Sequence, residues 1–118
     1  MPLLNIHTSA DVPADSARVE ALLKDLSSRL AQHLKKPEAY VMTCLTPRAR
    51  MTFAGTTAPA CFVEIKNIGA LSPELTERMS SDICTVLEAA IGVPAARIYI
   101  EFCEAKPHLW GYDGGTFA

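Results

Sequence analysis

The chain has 118 residues, 49% apolar and 20% charged, a composition that suits one globular core and excludes disordered and collagen-like chains. Its formal net charge of −2 lacks the basic footprint of a nucleic-acid binder, so no nucleic-acid partner is expected. Charged residues interrupt every apolar run, which argues against a membrane span, and the opening Met-Pro-Leu-Leu-Asn-Ile-His has neither part of a cleaved leader; a cytoplasmic location is the expectation.

A short β-rich run at residues 3–6 comes first. Residues 15–36 carry Val19, Leu22, Leu23, Leu26, Leu30 and Leu34 at three-and-four spacing, which predicts an amphipathic helix. Asp15 or Ser16 can cap its start and Pro37 marks its stop. Residues 40–45 read as a strand, and residues 46–59 as a connection with turn chemistry at Pro47 and Gly55. A third strand covers residues 60–65. The second helix spans residues 73–91, striped by Leu75, Met79, Ile83, Val86, Leu87 and Ile91. Ser72 caps it, Pro73 fits its first position, Glu74 suits its positive end, and Gly92 ends it. A fourth strand covers residues 97–103. The Gly-rich, aromatic tail at residues 107–118 reads as a turn plus a short strand.

At an offset of 57 residues (Leu22 to Met79) the two helices superimpose: Leu26, Leu30 and Leu34 fall on Ile83, Leu87 and Ile91, and Pro37 falls on Pro94. The chain therefore reads as one pseudo-symmetric domain, 1–118, written as two β-α-β repeats, 1–57 and 58–118. The expected fold class is α/β (α+β): a four-stranded mixed sheet with two helices on one face. The strands around Cys61-Phe-Val63 and Ile98-Tyr-Ile100 lack clean alternation, which predicts burial on both faces. Two helices cover only one face, so a second copy of the chain is expected over the other, as a dimer or a ring.

Cys44, Cys61, Cys84 and Cys103 sit in apolar runs, show no CxxC, and read as reduced, buried thiols. With His7, His33 and His108 at no ligand spacing, no metal site is expected. The chemistry is sought instead at Pro2. Methionine before a small residue is normally removed, which leaves Pro2 with a free secondary amine at the head of a strand. An α-amino group titrates near 7.7–8.0, and burial or a neighbouring cation moves that value toward neutrality, where a general base works best. If Met1 is retained, Pro2 is an amide with no basic lone pair.

Pro2 opening a strand, Lys36-Pro37 after the first helix and Tyr40-Val-Met42 beyond it resemble the macrophage migration inhibitory factor and D-dopachrome tautomerase family. So do Met51-Thr-Phe-Ala-Gly-Thr-Thr-Ala-Pro59, Asn67-Ile68-Gly69, Arg97-Ile-Tyr99 and Trp110-Gly-Tyr-Asp-Gly-Gly-Thr-Phe-Ala118, in order along the whole chain. The resemblance implies a cofactor-free keto–enol tautomerase acting on arylpyruvate-like α-keto acids such as phenylpyruvate. On it, Pro2 is the proton-shuttling base, Lys36 and the backbone N–H of Ile68 hold the substrate carboxylate, and Tyr99 lines the pocket of a neighbouring subunit in a homotrimer. Trp110, Tyr112 and Phe117 fall where the family places aromatic or apolar walls. Without the resemblance, Lys36 is a helix-terminal lysine, Tyr99 a strand tyrosine, and the tail aromatics are packing.

Two departures matter. The family often carries asparagine where this chain has Glu101, a carboxylate that can pair with Lys36 across an interface or repel an anionic substrate; altered substrate preference is expected. The family's occasional CxxC is Pro59-Ala60-Cys61-Phe62 here, so a thiol–disulfide activity is not expected. The alternative is a cytokine-like, receptor-binding protein with incidental tautomerase activity, which leaderless secretion would permit. A decarboxylase or dehalogenase on the same scaffold is a third reading.

Overall fold

The computed structural model describes residues 1–12 and 16–118. Helix α1 (Ala17–Leu34) begins where the Ser16 hydroxyl oxygen accepts the Arg18 N–H at 3.1 Å, and the other cap candidate, Asp15, lies outside the described residues. Its end is tighter than the periodicity predicts. Lys35 turns left-handed (φ 53°), and the Lys36 N–H donates back to the Ala31 carbonyl at 3.1 Å, the helix-terminating pattern usually built on glycine. Lys36 thus stands beyond the helix rather than in its last turn. Helix α2 (Pro73–Ile91) runs as predicted: the Ser72 hydroxyl oxygen accepts the Leu75 N–H at 3.2 Å, and Gly92 (φ 72°) closes the other end.

Strands β1 (Leu3–Thr8), β2 (Met42–Thr46), β3 (Cys61–Ile68) and β4 (Ile98–Ala105) form one sheet in the order β2-β1-β3-β4. β1 and β2 are parallel, as are β3 and β4, while β1 meets β3 antiparallel with Leu3 opposite Lys66 and His7 opposite Phe62. This is the expected four-stranded mixed sheet. The apolar stripes of both helices lie on one of its faces. There Leu26 and Leu30 of α1 and Met79, Ile83 and Leu87 of α2 join Leu4, Ile6, Val63 and Ile65 in a core from which water is excluded. Each such side chain contributes roughly 1.5–3 kcal/mol on burial.

The other face is open in the single chain, and it is the face over which the sequence places a second copy. β3 alternates buried and more exposed positions after all; the sequence hides this because the outward positions include aromatics, Phe62 on β3 and Tyr99 on β4. The same geometry corrects the reading of the thiols. Cys61 is buried and Cys84 half-buried, but Cys44 and Cys103 point out of the sheet and are exposed, because an apolar run does not reveal which of its residues face the core. The tail is a two-stranded hairpin, β5 (Gly111–Tyr112) with β6 (Gly115–Thr116), rather than one short strand; Asp113 (φ 49°) and Gly114 (φ 82°) supply the two left-handed residues its tight turn needs.

Candidate active site

Pro2 precedes β1, an interior strand, and its carbonyl accepts the Met42 N–H of β2 at 3.0 Å. The ring is fully buried, while Met1 is half-buried beside it. Burial first, and the positive charge of Lys36 second, hold the Met1 amine below its ordinary value. The N-terminus and Lys36 therefore share one environment. Lys36 reaches it because the left-handed Lys35 redirects the chain, and its ammonium donates to the Ile68 carbonyl at 3.1 Å. Pro2, Lys36 and Ile68 are brought together at one end of the sheet.

Aromatic walls stand at the same end. Tyr112 and Phe117 stack at 5.3 Å between ring centroids, and both meet Tyr40 edge-on, at 5.8 and 6.1 Å. Tyr40 was not among the site residues expected from the sequence. The sequence places it at the start of the second strand, but it closes a 3₁₀ turn (Glu38–Tyr40) directly after Lys36-Pro37. An aromatic residue so close to a candidate anchor was the available signal. Trp110 is half-buried and ties the tail through its backbone, its carbonyl accepting the Phe117 N–H at 3.2 Å.

A second residue was missed. Asn67 continues the β1–β3 register to the position opposite Pro2, and it is 3% exposed. Its Oδ1 is buried and has no hydrogen-bond partner among the described residues. A buried acceptor without a donor costs free energy, and its position opposite Pro2 makes Asn67 a candidate site residue.

Tyr99 and Glu101 lie elsewhere. Tyr99 pairs with Phe62, which pairs with His7, five residues along β1 from Pro2, so about 17 Å of strand separates the two. Tyr99 is 66% exposed and packs on Phe53 at 4.8 Å. A hollow of about 360 Å³ opens there, lined by Met51, Phe53, Phe62 and Tyr99 among others. Glu101 sits beside Glu64 on the open face, and Lys36 has its contact with Ile68 instead. Next to Glu64 the face is polar: the Asn5 amide donates to Glu64 at 3.2 Å and lies 3.2 Å from His7 Nε2, while Cys44 donates to Asn5 Oδ1 at 3.1 Å. Burial, then the Glu64 charge, pushes the Cys44 thiol up, away from the thiolate a nucleophile needs. Among the described residues, no three His, Cys, Asp or Glu side chains are placed to hold a metal ion.

One family model, described as Macrophage migration inhibitory factor (MIF), matches residues 1–118. The chain belongs to the macrophage migration inhibitory factor family. A MIF homolog of Trichuris trichiura is 33% identical over 117 residues, 99% of this chain and 100% of that protein. The MIF of Rattus norvegicus is 30% identical over 118 residues, covering both proteins in full. Among solved structures, a MIF homologue from Prochlorococcus marinus superimposes with a TM-score of 0.92 at 46% identity, covering 98% of this chain and 99% of that one. A MIF-like protein from Entamoeba histolytica gives 0.89 at 28% identity, with 98% of each covered. The MIF fold is thus shared over nearly the whole chain.

Proposed function

We propose that the chain, once Met1 is removed, is a cofactor-free keto–enol tautomerase for arylpyruvate-like α-keto acids, and that it works as a homotrimer with sites between subunits. The observation that carries this reading is the convergence of Pro2, Lys36 and Ile68, where burial and the Lys36 charge already depress the pKa of an amine. Freed of Met1, the Pro2 nitrogen is a secondary amine in that same environment. It takes a proton from the carbon next to the keto group while the keto oxygen gains one, and the return step reverses both transfers. Lys36 supports the substrate carboxylate and the charge that builds on oxygen, with the Ile68 N–H as a second donor. Tyr112 and Phe117, with Tyr40 behind them and Trp110 at the base of the hairpin, supply a flat apolar wall for an aryl group.

The separation of Tyr99 from Pro2 supports the intersubunit site. No single copy brings them together, whereas a neighbouring copy on the open face can present Tyr99 and Glu101 to the Pro2 of the first. The test pairs intact mass measurement with a phenylpyruvate assay on the same material. Activity is expected only where the mass corresponds to loss of Met1, and Pro2→Gly abolishes it. Full activity in a chain that keeps Met1 would sink the proposal.

A further inference from the structure

Arg97 makes an unusual set of contacts for a cation. Its Nε donates to the Pro59 carbonyl at 2.9 Å, Nη1 to Phe53 at 3.3 Å, and Nη2 to Ala58 at 2.8 Å and Thr56 at 3.5 Å. All four acceptors are backbone carbonyls of the connection between β2 and β3. The guanidinium carbon also lies 5.2 Å from the centroid of the Phe53 ring, over its face. Phe53 in turn packs on Tyr99, two residues from Arg97 on the sheet edge.

The loop needs such a brace. Phe53 and Thr56 exchange backbone hydrogen bonds at 3.0 and 3.1 Å around a two-residue turn, and Ala54 (φ 54°) there adopts a left-handed conformation that suits glycine or asparagine. Left to itself, that turn is weakly specified. A planar fork satisfies several carbonyls at fixed angles, which a lysine, a point charge on a flexible stem, does not reproduce.

We infer that Arg97 is a positioning residue: by clamping the 53–59 loop and the Phe53 ring it fixes the direction in which Tyr99 is presented to a neighbouring subunit. This rests on the proposed role of Tyr99. Arg97 itself touches neither substrate nor Pro2. Loosening it therefore weakens binding of the aryl substrate and leaves the proton transfer at Pro2 unchanged.

Two readouts test this on the processed full chain. In ¹³C-tyrosine-labelled protein, the Tyr99 ring protons carry a ring-current shift from Phe53, with Phe53→Leu as the ringless reference; it is expected to collapse toward that reference in Arg97→Met and to recover in part in Arg97→Lys, and a shift that survives Arg97→Met overturns the inference. In the phenylpyruvate assay, Tyr99→Ala and Arg97→Met are each expected to raise KM about tenfold, with kcat and its pH profile unchanged, and the double variant to be no worse than Tyr99→Ala alone. Additive effects, or a KM response to Tyr99→Ala without one to Arg97→Met, also overturn it. If Tyr99→Ala leaves KM unmoved, the reading of Tyr99 as a site residue fails, while the ring-current measurement still judges the clamp. Should Arg97→Met not fold, Arg97→Gln carries both readouts, because it loses the guanidinium fork while the Phe53 ring that generates the shift stays in place.

Discussion

At one end of the sheet, Pro2, Lys36 and Ile68 are held by backbone: the Pro2 carbonyl accepting from the Met42 N–H, a helix terminus that turns left-handed, and a lysine donating to the Ile68 carbonyl. At the other end, Tyr99 stands two-thirds exposed, supported by Phe53 and by a loop that Arg97 clamps. The first end holds charge in a partly desolvated place, where Coulomb effects are strong; the second presents an aromatic face to whatever docks on it. On the proposed function, the first end carries out proton transfer and the second takes part in recognition. About 17 Å of strand lies between them, and the proposed intersubunit site is the arrangement that would reunite them.

The largest expected effect breaks the first end. Pro2→Gly in the processed chain lowers kcat/KM for phenylpyruvate by at least about 100-fold, the scale of a lost general base, with the fold unchanged by circular dichroism. Lys36→Met comes next, with kcat/KM down about 10- to 100-fold for a lost charge-assisted contact. It also moves the pH profile. A base works when unprotonated, so activity rises as pH passes through its folded-state pKa; removing the neighbouring cation raises that pKa and shifts the acid limb to higher pH. An unmoved limb would separate Lys36 from the base.

Mixing the two ends sharpens the comparison further. Pro2→Gly and Tyr99→Ala chains, co-refolded in equal amounts and assayed well below KM, are expected to recover about a quarter of wild-type activity, since mixed rings contain sites with both residues intact. No recovery would place both residues' work within one copy. The smallest effects concern stability. Lys35→Gly at one end and Ala54→Gly at the other each relieve a left-handed non-glycine residue, and each is expected to raise stability by about 0.5–1 kcal/mol in a urea titration.

Much of this is legible in the sequence. The leucine stripe of α1 and the cap-to-glycine frame of α2 encode their own burial, because a 3.6-residue period places one face inward whatever the helix packs against. Strand faces were less readable. Cys44 and Cys103 sit in the same kind of apolar run as Cys61, and only the pairing of β2 with β1 and β4 with β3 turns them outward. Tyr40 was hidden by its β propensity, and Asn67 by a polarity that gives no hint of burial. The family motif named Pro2, Lys36, Ile68 and Tyr99 together without revealing that they occupy opposite ends of one sheet.

By itself, the sequence determined the elements, their order and the apolar faces that bind helices to sheet, since these follow from local spacing and capping. Tertiary structure decided which side of each strand faces water, which aromatics gather beside Lys36, and what braces Tyr99. Those outcomes depend on register and on contacts between residues far apart in the chain, where a single-residue slip reverses every side chain.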